Sequence, residues 1–113
     1  MDRPVLVYTT YPSLVEAEQA GRLLVERGLA ACVNILPGMR SIYRWQGAIE
    51  QADEVVMIVK TRDARKDAVA AEVKRGHPYD TPAILFLTAD GGDKAYIDWI
   101  VAESNGQKIS EKT

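Results

Sequence analysis

A chain of 113 residues with 47% hydrophobic and 27% charged side chains has the composition of one globular domain, which excludes a disordered or fibrous protein. Its formal net charge of −2 supplies no basic field to draw nucleic acid, and its single cysteine excludes an internal disulfide and suits a reducing compartment. No apolar run approaches the roughly 18 residues of a spanning helix, and no basic start leads into an apolar stretch, so the expectation is a cytoplasmic protein with no membrane partner.

Pro4 to Thr10 reads as a first strand, punctuated by Tyr11-Pro12. Ser13-Leu-Val-Glu16 has the form of a capping box, in which the serine hydroxyl and the glutamate carboxylate satisfy orphan backbone donors. Ala17, Ala20, Gly21 and Leu24 then recur at helical spacing, with Gly28 as the stop. From Ala30 to Trp45 the residues are β-formers, but a single strand of that length would run roughly 50 Å. Pro37-Gly38 is expected to break it, leaving Ala30–Leu36 as core strand and Met39–Trp45 as an arm that turns back at Gln46-Gly47.

Glu54 to Lys60 reads as a third strand, and Asp63 to Arg75 as a helix with Ala64, Ala68 and Ala71 on one side and Gly76 at its end. His77-Pro78-Tyr79-Asp80-Thr81-Pro82 is a stiff connector, because its prolines fix φ and bias the preceding residues to extended geometry. Pro82 to Thr88 is a fourth strand. Asp90 to Asp93 is a turn and N-cap, and a third helix carries Tyr96, Trp99 and Ile100 at i, i+3, i+4. Residues 1–103 form one domain on this reading, and 104–113 a polar, mobile tail.

Strand-helix-strand, twice over, is the split βαβ pattern of an α+β, ferredoxin-like fold, here with a long hairpin arm and an extra C-terminal helix. Two helices cover one face of such a sheet, so the other face should read polar. It does not. Val5 and Val7 alternate with Leu6 and Tyr8; Val55, Met57 and Val59 with Val56 and Ile58; Leu85 and Leu87 with Ile84 and Phe86. Both faces must therefore be buried. Leaving about five to eight such side chains wet would forfeit roughly 10 kcal/mol or more, which rivals the whole stability of a small domain. Association with other copies follows, with Ile42, Tyr43 and Trp45 of the arm as the expected grip on a neighbouring subunit.

Leu29-Ala-Ala-Cys-Val-Asn-Ile35, Pro37-Gly38, Ser41-Ile-Tyr-Arg-Trp-Gln-Gly47, Ile49-Glu50, Lys60-Thr61 and His77-Pro-Tyr-Asp-Thr-Pro82 together resemble the CutA divalent-cation-tolerance proteins, over about Val5 to Ala102. The resemblance implies a non-enzymatic homotrimer of ferredoxin-like subunits, similar in architecture to PII-like signalling proteins. It also implies a role in tolerance to copper and other divalent metals. The family usually continues its connector as Thr-Pro-Glu, whereas Ala83 stands in the third position here.

Transition-metal sites commonly take three or four ligands, often His or Cys, and this chain has one of each. Cys32 reads as a small hydrophobe in a core strand. His77 has either a capping and packing role or a ligand contact. No obligatory cofactor is expected, and a divalent metal such as copper would bind weakly or at a site shared between subunits. Lys60 ends a buried strand and needs a counter-charge. Glu50 is one candidate partner; the other reading gathers Lys60, Arg44, His77, Tyr79, Thr10 and Glu50 around an intersubunit cleft for a metal or small anionic ligand. Rivals are an enzyme using His77 as acid or base with Lys60 as clamp, and an interaction scaffold without a pocket. RNA binding through aromatics on the central strands finds one aromatic there, Tyr8, and an acidic balance.

Overall fold

A computed structural model describes residues 2–106. The elements run β1 (Pro4–Tyr11), α1 (Leu14–Glu26), β2 (Cys32–Trp45), β3 (Ala48–Arg62), a 3-10 turn (Asp63–Arg65), α2 (Lys66–Gly76), β4 (Ile84–Thr88) and α3 (Lys94–Glu103). The four strands form one antiparallel sheet in the order β2-β3-β1-β4, which is the split βαβ arrangement read from the sequence.

Half of the expected capping box forms. Ser13 Oγ accepts from the Glu16 amide at 3.2 Å, but the Glu16 carboxylate takes the Ser13 hydroxyl at 2.8 Å. Gly28 ends α1 at φ +69°, a conformation glycine adopts without steric cost, and the Leu29 amide reaches back to the Leu24 carbonyl at 3.0 Å. Gln46 and Gly47 both have positive φ, the pairing that matches a two-residue turn to the twist of its strands.

Several boundaries shift. β2 does not end at Pro37-Gly38: the pair makes a register slip between Leu36 and Met39, with Gly38 at φ +86°, and the strand runs on into the arm. β3 accompanies it along its whole length and is 15 residues long rather than starting at Glu54, because a protruding arm needs two strands to pair its backbone. β2 begins at Cys32 rather than Ala30, and β4 at Ile84 rather than Pro82, which has no amide to donate. The alanine face assigned to the second helix is also corrected: Ala64, Ala68 and Ala71 are exposed, and Val69 and Val73 enter the core. The larger apolar side chains remove more surface from water, so they set the helix rotation.

Val5, Val7 and Tyr11 of β1 and Val55, Met57 and Val59 of β3 pack under Ala17 and Leu24 of α1 and Val69 and Val73 of α2. On the opposite face Leu6, Tyr8 and Ile58 are half-buried, and α3 covers only part of them. Leu36, Leu85 and Leu87 lie there 55%, 63% and 52% exposed. The described part of the tail begins in the body of the protein: Ser104 and Gly106 are buried, and the Gly106 amide bonds the Gly28 carbonyl at 2.8 Å. The rest of the expected mobile tail, residues 107–113, lies outside the described residues.

Gly21 fixes how closely α1 approaches the sheet, since a Cβ there would stand 2.7 Å from Val33 Cγ2. Gly21→Ala should therefore cost about 1–3 kcal/mol despite its better helix propensity, read as a lower midpoint in urea denaturation with an unchanged slope.

Candidate functional site

The uncovered face of the sheet deepens into a cleft where the arm leaves the body. Thr10 comes from β1, Tyr43 and Trp45 from β2, and Glu50 and Glu54 from β3, while Tyr79, Asp80, Thr81 and Ala83 of the connector close the far side. The cavity measures about 390 Å³. Strand alternation explains the membership: Tyr43 pairs with Glu50, and Met39 with Glu54, so these side chains project to the face that also carries Thr10.

Glu54 is the hub. Its carboxylate accepts from the Ser41 hydroxyl at 2.7 Å, the Tyr79 hydroxyl at 2.9 Å and the Thr10 hydroxyl at 3.3 Å, tying arm, connector and central strand together. Tyr8 on the same face donates to Met39 Sδ at 3.7 Å. Burial first, then the hydrogen bond to Glu54, pushes Tyr79 up to about 12. With Glu50 and Asp80 beside Glu54, and no basic side chain among the described residues of the lining, the cleft has a negative field.

His77 fixes the connector rather than pointing a free nitrogen into this space. Nδ1 faces the Tyr79 amide at 3.1 Å, so it accepts, which assigns the proton to Nε2, 2.6 Å from the Thr10 carbonyl. The ring stacks on Tyr11 at 4.4 Å and leans on Tyr79 at 4.9 Å.

The proposed companions do not all arrive. Lys60 pairs in register with Leu6, four residues before Thr10 on β1 and therefore roughly 13 Å away along the strand. It donates to the Tyr96 hydroxyl at 2.8 Å, and that bond raises its pKa above the ordinary lysine range. Within the chain, Tyr96 thus takes the place expected of Glu50, because α3 folds over that end of the sheet. Cys32 pairs with Lys60 and is half-buried rather than in the core. Arg44 and Ile42 alternate with Tyr43 and Trp45 and so project from the other side of the ribbon, where Arg40 meets Asp53 at 2.8 Å. Ile42, Tyr43 and Trp45 are 68%, 40% and 51% exposed.

Sequence reading missed Glu54 and Asp80 as members of the site. A signal for Glu54 was present: it occupies the same face as Val56 and Ile58, where a carboxylate needs donors. Asp80 gave none, since only the path of the connector brings it to the cleft.

A family model described as CutA1 divalent ion tolerance protein matches residues 5–103. Among curated relatives, a divalent-cation tolerance protein CutA of Pectobacterium atrosepticum is 42% identical over 105 residues, covering 89% of this chain and 96% of the relative. One from Archaeoglobus fulgidus is 48% identical over 94 residues, covering 83% and 91%. Among solved structures, CutA from Xylella fastidiosa matches with a TM-score of 0.89 at 37% identity, over 91% of this chain and 99% of that one. A structure described as the periplasmic divalent cation tolerance protein CutA from Archaeoglobus fulgidus matches with a TM-score of 0.87 at 44% identity, over 90% and 99%.

Tyr11 is raised like Tyr79, from 10.0 to about 12, by burial first and then by the Glu16 charge. A hydroxyl whose folded pKa is raised holds its proton longer in the folded state, so its contribution is full below about 10 and is lost as pH rises toward about 12. Ultraviolet titration should show two of the five tyrosines ionising late, and stability should fall across that interval more steeply than in Tyr11→Phe/Tyr79→Phe.

Proposed function

The chain belongs to the CutA1 family of divalent ion tolerance proteins, and from that premise we propose that it acts without catalysis, as a homotrimer that responds to divalent metal, copper included. The ligand, a metal ion or another small cation, binds in clefts completed between subunits. The observation that carries this reading is the cleft beside Glu54: three carboxylates and three aromatic rings line it at the root of an arm whose Ile42, Tyr43 and Trp45 are exposed.

Charge selects the ligand. Glu50, Glu54 and Asp80 favour a cation, which replaces the small anion admitted by the sequence reading. Among the described residues no group of three His, Cys, Asp or Glu side chains is gathered closely enough to hold a metal, so a second subunit must complete the donor set. An all-oxygen set suits hard cations and holds copper weakly. The enzyme reading loses support from the same geometry, since His77 spends both nitrogens on the backbone and Lys60 is bound at the other end of the sheet.

The assembly follows from area. Leu36, Leu85 and Leu87 on the sheet with Trp45 on the arm, and Ile42 and Ile49 on the other side of the ribbon, together expose more large apolar side chains than a small domain leaves wet. Among the described residues, no helix is long and apolar enough to cross a membrane.

Native mass spectrometry should find three chains per particle, and Trp45→Ala should shift light scattering at low concentration toward single chains. A stable single wild-type subunit in dilute buffer would remove the shared cleft. In calorimetric titration with copper sulfate, Glu50→Gln and Glu54→Gln should each weaken binding by about tenfold, equivalent to about 1.4 kcal/mol. Unchanged affinity in both would place the metal elsewhere.

A further inference from the structure

The rings in the cleft beside Glu54 carry information that its charge does not. Three of the nine residues that line it are aromatic, Tyr43, Trp45 and Tyr79, against 7% of the whole chain. Tyr43 and Trp45 stand two apart on β2 and so project from the same side of the ribbon, while Tyr79 comes from the connector across the cleft. Tyr43 and Trp45 are both largely exposed, so a molecule in the cleft can reach them. Tyr79 is fixed: its hydroxyl is bound to Glu54 at 2.9 Å and its ring packs on His77 at 4.9 Å. That wall is set before any ligand arrives.

A bare divalent ion has no use for these rings. It takes oxygen lone pairs at about 2.0–2.6 Å, and among the described residues no three His, Cys, Asp or Glu side chains are gathered for it. Glu54 is committed besides, since Oε1 accepts from Ser41 and Oε2 from both Thr10 and Tyr79. An organic ammonium ion asks for the opposite. Its charge is spread over carbon-bound hydrogens and needs no lone pair. It is drawn to the negative faces of aromatic rings, with carboxylates acting at longer range. Glu50, in register with Tyr43, and Asp80, next to Tyr79, are exposed and supply that charge on both sides. The volume of about 390 Å³ lies within the ordinary range of ligand pockets, about 300–1,000 Å³.

On the reading of this cleft as a cation site, on which the inference rests, we propose that it binds a small quaternary ammonium ion. The ion lies between Tyr43 and Trp45 on the arm and Tyr79 on the connector, with Glu50 and Asp80 as its counter-charges. A single subunit supplies every one of these groups, whereas a metal needs donors from a second.

Tetramethylammonium chloride is the probe, tert-butanol its neutral counterpart of similar size, and copper sulfate the metal. Titrated into the full chain at constant ionic strength, tetramethylammonium should give saturable nuclear magnetic resonance shifts at the Trp45 indole N–H and the amides of Tyr43, Glu50 and Tyr79. At the same concentrations tert-butanol should give none that saturate. Tyr43→Leu keeps an apolar side chain but removes a ring, and should weaken tetramethylammonium roughly three- to tenfold and copper by less. Shifts that do not saturate or that centre elsewhere, with copper still bound at Glu50 and Glu54, would overturn the proposal and leave the metal reading standing. Failure of both cations to bind in this cleft would overturn the two together. Equal binding of tert-butanol, unchanged tetramethylammonium affinity in Tyr43→Leu, or a loss in that variant that is equal for both cations (the mark of a displaced arm) would each overturn it as well.

Discussion

A sheet that is apolar on both sides and helically covered on one governs this molecule. α1 and α2 seal one face so completely that Val5, Val7, Met57 and Val59 are wholly buried. Among the described residues the other face has only the ten residues of α3, which reach β3 and β1 and leave Leu85 and Leu87 in water. Among the described residues nothing else covers that face, since β2 and β3 run on into the arm. The molecule is accordingly elongated, 49 Å by 33 Å by 22 Å, rather than rounded over its own core.

The arm is a device for carrying surface away from the body while keeping its backbone satisfied. β2 and β3 pair from Cys32–Lys60 out to Trp45–Ala48, so the ribbon needs no core of its own to hold its hydrogen bonds. Its weak point is the slip at Pro37-Gly38, where the ladder is interrupted. Glu54 lies across that interruption and binds hydroxyls from three separate segments, anchoring the base of the arm to the connector and to β1. A carboxylate that accepts three hydroxyls is well satisfied at the mouth of the cleft. The same residue thus supports the arm and sets the sign of the site.

His77 joins the two sides of the sheet. Its hydrogen bonds reach Thr10 and Tyr79, which belong to the acidic cleft, and its ring packs on Tyr11, which belongs to the core under the helices. The sequence reading singled it out as the one histidine and weighed metal ligation against packing. Its neighbours give it a packing role: a connector with two prolines has few amides to donate, and the imidazole accepts one of them while serving a strand carbonyl.

Local chemistry decided a good deal in advance. Ser13 at the head of α1, Gly28 at its end, Gln46-Gly47 at the arm's tip and Asp93 before α3 act through bonds within a few residues, so they can be read in order along the chain. The missing period-two alternation in the strands likewise revealed a sheet apolar on both faces, since a side chain's polarity does not depend on its partners. Tertiary structure alone decided the rest. It chose Val69 and Val73 over the alanines as the buried side of α2 and gave Lys60 to Tyr96. It brought Asp80 of the connector to Glu50 and Glu54 of β3. Those outcomes depend on strand register and on the path of the connector, and contacts between residues 25 or more positions apart leave no mark on local spacing.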